Sequence, residues 1–472
     1  MVGRIQPPDE VCICEPGVMT ACYTGPAGTE DVGICHGGMQ TCNADGFGYG
    51  PCLDQQVPGA ETCDAAGANE DCDSDVNEGC VCGDGIIFAG ETCDDGGTSD
   101  ADACSSTCQT QEVLQLAAGR AHTCALLTGG VVKCWGDNGG GQLGLDDSQD
   151  RGDQPNEMGD NLPAVSLGTG KTAVAISAEN EHTCALLNNA SVKCWGYNEY
   201  GQLGLGNTQA HGDGANEMGD NLPAVILGTG KTAVAISSAH YHTCALLNDA
   251  SVKCWGHNGY GQLGLGNTQH RGAGANDMGD NLPTVSLGTG KTAVAISAGD
   301  IHTCALLDDA SVKCWGYNGF GGLGLGDNAD RGDGANEMGD NLPAVSLGTG
   351  KTAVAISAGG YHTCALLNDA SAKCWGYNQL GGLGLGDTAH RGDEPNEVGD
   401  NLPVVDLGTG KTGVAISAGD YQTCALLNDA SVKCWGYNEL GGLGLGDTQH
   451  RGDEPNQMGD NLPTVKLFSA LW

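Results

Sequence analysis

KTAVAISAENEHTCALLNNASVKCWGYNEYGQLGLG, residues 171–206, recurs along the chain at a step of 60 residues. Its HTCALL segment begins at His122, His182, His242, His302 and His362, and a sixth copy reads QTCALL from Gln422. A unit this short cannot bury an apolar face alone, so neighbouring copies must stack. Each unit holds four strand candidates. In Ala173–Ser177, Val174 and Ile176 alternate with small residues; His182–Leu187 and Ser191–Gly196 flank the turn formers Asn188, Asn189 and Ala190; Leu222–Leu227 is entered through Pro223, which suits a strand start or an edge.

Short strands in fours, repeated radially, predict an all-β fold: a β-propeller over residues 112–472. The first set opens at Val113 and the last closes at Leu467, so six four-stranded blades are expected, with seven as the alternative. A hairpin turning on Asn189 places Cys184 opposite Cys194 and Leu186 opposite Val192. Six disulfides are therefore expected: Cys124–Cys134, Cys184–Cys194, Cys244–Cys254, Cys304–Cys314, Cys364–Cys374 and Cys424–Cys434. A zinc site competes poorly, because it needs four converging ligands and each repeat offers two thiols.

The 25 cysteines split into 13 before residue 110 and 12 after it, a density that points to an oxidising compartment. The predicted location is extracellular or cell-surface. Met1–Glu10 carries no apolar stretch of the kind export signals have, so this expectation rests on the cysteines. The net charge of −40 disfavours nucleic acid and anionic membrane surfaces as partners, and no apolar run is long enough to insert into a membrane. Eleven of the twelve lysines occupy two fixed repeat positions, Lys133 to Lys433 and Lys171 to Lys411, so they belong to the framework.

The series HTCALL, VKCWGYN, GQLGLG and LPAV resembles the regulator of chromosome condensation repeat in its cysteine-bearing bacterial form, over residues 112–467. The resemblance implies a propeller, usually of seven blades, so six copies depart from the family pattern. Eukaryotic members of that family are exchange factors for a small GTPase and bind chromatin; secreted bacterial members are protein-binding scaffolds.

Antiparallel connection places the turn before each HTC and the segment after each KCWG at one end of the blade. The Asn-Asn-Ala end barely changes between copies, whereas the first end varies and is rich in aromatics. The predicted binding face holds Tyr197, Tyr200, Tyr241, His257, Tyr260, Tyr317, Phe320, Tyr361, Tyr377, Tyr421 and Tyr437. Tyrosine gives large contact area at low entropy cost; the plainer reading is that these rings pack between blades. Asp213, Asn216, Glu217, Asp220 and Asn221 of the acidic loop offer hard oxygens for Ca2+, or simply make turns. Arg-Gly-Asp at 151–153, 331–333, 391–393 and 451–453 recurs because the repeat recurs. The histidine column suits hydrogen bonding better than metal chemistry, since Gln422 replaces its sixth member.

Residues 1–81 form a cysteine-rich acidic module and 82–111 a short disulfide repeat, with Arg4 as their sole basic residue against twenty Asp and Glu. Both resemble modules of myxobacterial surface proteins, the first of metal-binding type, through CYTGPAGTEDVGICHGGMQTC and CGDGIIFAGETCDDGGTSDADACSSTC. Asp71, Asp73, Asp75, Asn77 and Glu78 alternate like a calcium loop, but Val76 occupies the EF-hand glycine position, leaving a looser Ca2+ site.

No nucleophile elbow, zinc-protease, P-loop or dinucleotide motif occurs, and the chain is expected not to be an enzyme. The leading expectation is a monomeric binding or adhesion scaffold for a protein or glycan, needing no cofactor beyond Ca2+. The alternatives are an intracellular scaffold of the exchange-factor type and a calcium-binding surface protein.

Overall fold

The structure is a computed structural model that describes residues 15, 18–22, 38–42 and 52–54 and the continuous stretch 112–466. The chain divides into two compact units, Met1–Glu112 and Val113–Trp472. In the first, Met19–Cys22 pairs antiparallel with Gly38–Thr41, and a disulfide joins Cys22 to Cys52. The candidate ligands Asp71, Asp73, Asp75, Asn77 and Glu78, and the boundary at 81/82, lie outside the described residues.

Within the second unit the repeats build six three-stranded antiparallel sheets, each in the order first, second, third strand. The first comprises Val113–Ala118, His122–Leu127 and Val132–Gly136; the second Ala173–Glu179, His182–Leu187 and Val192–Gly196; the third Ala233–Ser238, His242–Leu247 and Val252–Gly256. Ala293–Ala298, His302–Leu307 and Val312–Gly316 form the fourth; Ala353–Ala358, His362–Leu367 and Ala372–Gly376 the fifth; Gly413–Ala418, Gln422–Leu427 and Val432–Gly436 the sixth. The hairpin register is the expected one, Cys184 opposite Cys194 and Leu186 opposite Val192, and all six predicted disulfides form. The turn closes with Ala190 in the left-handed region at φ 61°. A bulge at Ala173–Ala175 leaves Val174 56% exposed.

The fourth expected strand is not one. Leu222–Leu227 runs alongside the third strand but donates a single ladder bond, from Val225 N to Val192 O at 2.8 Å. Pro223 has no N–H to give, and the following carbonyls are drawn to the next repeat. Ile226 O accepts from Gly279 N at 2.8 Å, and Leu227 O accepts from Lys253 Nζ at 2.9 Å. The segment therefore ties adjacent repeats together. The framework lysines do the same: Lys253 also donates to Gly279 O at 2.7 Å, and each of its equivalents from Lys193 to Lys433 makes the same two bonds.

The core lies between sheets. Cys184 and Cys194 pack with Ala245, Leu247 and Trp255 of the next sheet, all buried, and the tryptophan is fully enclosed. Its indole N–H donates to Gln202 O at 2.9 Å, as an enclosed indole must find an acceptor. Thr243 Oγ1 donates to the same carbonyl at 2.9 Å, and so is left to accept from His182 Nε2 at 3.0 Å. This joint recurs between every successive pair of sheets, ending with His362 and Thr423 at 2.7 Å. Gln422 makes no such bond to a following threonine among the described residues, and the sixth sheet is more exposed than the interior ones.

Candidate functional site

The chain reverses direction between the first and second strands at residues 180–181, and the third strand returns beside that turn. Tyr197 N donates to Glu181 O at 2.9 Å, and Tyr377 N to Tyr361 O at 3.0 Å, so both variable positions project from one end of the blades. Gly196 has φ 104°, and a Cβ there would stand 2.5 Å from Glu181 O, which is why glycine closes each third strand.

All eleven predicted face residues come together. Ring contacts run without a break from Tyr197 and Tyr200 through Tyr241 and His257 to Tyr260, Tyr317 and Phe320, then on to Tyr361, Tyr377, Tyr421 and Tyr437. Most pairs meet edge-on, as Tyr260 and Tyr317 do with centroids 5.1 Å apart; Tyr361 and Tyr421 stack at 5.6 Å. Nearly all the rings are half-buried, packing against their neighbours while remaining partly exposed. Phe320, Tyr361, Tyr377 and Tyr421 line a hollow of about 540 Å3. Burial and the neighbouring Tyr421 push the Tyr361 hydroxyl up to about 12, so it acts as a hydrogen-bonding phenol.

Sequence reasoning missed two features. Further histidines join the face: His390 of an acidic loop stacks against Tyr377 at 5.2 Å, and His240 of a reversing turn has its ring 3.8 Å from that of Tyr241. The larger omission is a polar cavity of about 210 Å3 to which all six sheets contribute, lined by Arg120, Glu179, Asn180, His240, Asp300, Tyr361, Asp420 and Tyr421. The reversing turns carry these groups, and one aligned position reads Arg120, Asn180, His240, Asp300, Gly360 and Asp420 in successive copies. That column was legible as a break in the repeat but was overshadowed by the aromatic column beside it. Carboxylate oxygens of Glu179, Asp300 and Asp420 converge to within 4.8 Å of one another. Burial, and then Asp300 and Asp420, push the Glu179 carboxyl up to about 8.

The other singled-out groups are engaged within the framework. Glu217 Oε2 accepts from Gly212 N and Gly214 N at 2.9 Å, and Asp220 accepts from Thr169 N and Oγ1 at 2.9 and 2.6 Å. The Glu217 oxygen closes its own loop, and the Asp220 oxygens tie that loop to a segment 51 residues earlier in the chain. The arginine of the Arg-Gly-Asp at 331–333 is held by Asp327 at 2.7 Å, with the same bond in the other copies. The histidine column is structural: burial pushes His242 and His362 down to about 3, so both are neutral donors to threonine.

Stacked antiparallel sheets built from a 60-residue repeat, with one variable, aromatic end, define a repeat β-propeller. The chain belongs to the RCC1-like domain family, whose model matches residues 80–470. The ultraviolet-B receptor UVR8 of Arabidopsis thaliana is 29% identical over 345 residues, covering 72% of this chain and 69% of the receptor. The human E3 ubiquitin-protein ligase HERC2 is 28% identical over 57% of this chain, which spans 5% of the ligase's length. Among solved structures, Prp20p of Saccharomyces cerevisiae superimposes with a TM-score of 0.56 at 21% identity, covering 75% of this chain and 77% of that one.

Proposed function

We propose that this protein is a non-catalytic, extracellular or cell-surface scaffold that recognises a protein through the aromatic end of its propeller. The observation that carries the reading is the unbroken series of half-buried rings around the 540 Å3 hollow. Such rings are already held by their neighbours, so little side-chain entropy remains to be lost on binding. Relatives of the same fold support a protein as ligand: yeast RCC1 was solved with Kap60 bound, and Prp20p is described with binding to Gsp1p and histones. A charge of −40 repels nucleic acid but attracts basic proteins, so it weighs against the nucleic-acid partners of the exchange-factor alternative and not against histone-type ones.

The extracellular placement is supported by six fully formed hairpin disulfides. The blade number is read as six, one per repeat; the exposed sixth sheet favours the seven-blade alternative. Residues 1–111 are read as the acidic, myxobacterial-type anchor or spacer, with Ca2+ at Asp71, Asp73, Asp75, Asn77 and Glu78. Two experiments test the function. Alkylation and intact mass of the unreduced protein should find none of the twelve propeller thiols free; twelve free thiols would overturn the placement. Partners captured from the protein's own source should be lost with Phe320→Ala and Tyr377→Ala, by ten-fold or more in affinity, and retained with Asn248→Ala at the opposite end. Equal loss from both ends would overturn the face; a soluble glycan displacing the partner would replace the protein ligand with a sugar.

A further inference from the structure

We propose that the cavity between Glu179, Asn180, Asp300 and Asp420 is a Ca2+ site, independent of whatever the aromatic face binds. Three carboxylates from the second, fourth and sixth sheets bring oxygens within 4.8 Å of one another. Ca2+ holds its oxygen ligands at about 2.3–2.6 Å, so ligands on opposite sides of one ion stand about 4.6–5.2 Å apart. The spacing matches a shared ion.

A cluster of acids alone would say little, because such groups are common on a chain this acidic. Asn180 supplies the independent sign. It is 3% exposed, lines the same cavity, and its side-chain carbonyl Oδ1 has no hydrogen-bond partner among the described residues. A buried carbonyl without a donor is destabilising unless something electropositive meets it, and amide carbonyls are ordinary Ca2+ ligands.

The charge balance selects a divalent ion. Three carboxylates face one permanently charged cation among the lining residues, Arg120, so a divalent ion offsets the negative charge that accumulates when all three ionise around it. His240 Nδ1 stands 3.8 Å from Asp300 Oδ2, on the wall of the site. The cavity of about 210 Å3 holds an ion together with the waters that complete a coordination of six to eight oxygens. Departure from the repeat adds to the case: Glu179 stands where the other copies have Gly119, Ala239, Gly299, Gly359 and Gly419.

Ca2+ stoichiometry of the full chain, measured by equilibrium dialysis with Tb3+ as a luminescent substitute, tests the proposal. Tyr361 and Tyr421 line the cavity and should sensitise Tb3+ there. Asp300→Asn with Asp420→Asn should remove one bound Ca2+ and most tyrosine-sensitised Tb3+ emission, leaving ions held by residues 1–111 in place. In EDTA that variant should melt at or above wild type, because like charges have been relieved; in Ca2+ it should lose the ion's stabilisation. Asn180→Asp adds a carboxylate at the same place and should tighten Ca2+ at least three-fold. Unchanged stoichiometry in the double variant, or weaker Ca2+ binding in Asn180→Asp, overturns the site.

Discussion

His242 shows how the repeat uses a titratable residue without titrating it. Thr303 Oγ1 donates to Gln262 O at 2.9 Å, so it accepts from His242 Nε2 at 2.8 Å, and the neutral ring carries its proton there. Burial pushes His242 down to about 3 from the ordinary 6.5. The unfolded chain therefore takes up the proton first. Stability from this ring is complete above pH 6.5 and declines as the pH falls towards 3. Glu179 acts in the opposite sense: raised to about 8, it gives most stability below 4.5 and loses it as the pH rises through 8. Melting curves from pH 7 to 4.5 should fall more steeply for wild type than for His242→Gln, which borrows the Gln422 solution; parallel curves would contradict the assignment. A second residue-scale prediction concerns Ala250, held at φ 61° in the hairpin turn. The first repeat has Gly130 at that position, φ 79°, and Ala250→Gly should raise stability by about 0.5–1 kcal/mol, read as an increased midpoint of unfolding. The histidine role was legible because one copy breaks it with an amide. The cavity acids were not read, because their columns vary between copies, with Asp only at 300 and 420 and Glu only at 179, and resemble loop variation until the turns are brought together.

At the scale of the element, the hairpin was the most legible part of the chain. The cysteine spacing, the alternation of Leu186 and Val192 and the turn residues all agree, and the register follows from them. The fourth strand was misread because sequence alternation reports burial, not ladder bonding. Leu222, Val225 and Leu227 are buried as the pattern suggests, at 1, 6 and 5% exposure, yet their carbonyls serve the neighbouring repeat. Each hairpin disulfide closes a short loop, and the first five lie against the next sheet's tryptophan. Replacing both Cys304 and Cys314 by alanine should lower the free energy of unfolding by about 2–3 kcal/mol on the loop-entropy account. Because repeat arrays do not always unfold in one step, the loss should be followed by hydrogen exchange in the fourth and fifth sheets. Protection unchanged in both would contradict the bridge's place in the joint.

Across the whole molecule, identical joints carry the architecture and the variable end carries the individuality. The Asn-Asp-Ala end is nearly constant, so it offers a partner the same short surface from every blade, whereas the aromatic end differs among the first five repeats and coincides only in the fifth and sixth, where Tyr361, Tyr377 and Leu380 are matched by Tyr421, Tyr437 and Leu440. The sequence revealed which end varies and which residues are aromatic. It could not reveal that the rings make one continuous series, because contacts such as Phe320 with Tyr361 depend on the angle between sheets. The aromatic end is also the end at which the polar cavity lies, since Tyr361 and Tyr421 line both hollows. Hydroxyl-radical footprinting of the protein with and without its captured partner tests the recognition surface most directly. Peptides holding Phe320, Tyr361, Tyr377 and Tyr421 should be protected in the complex while those holding Asn248, Asp309 and Asp369 stay reactive; protection confined to the latter would contradict it.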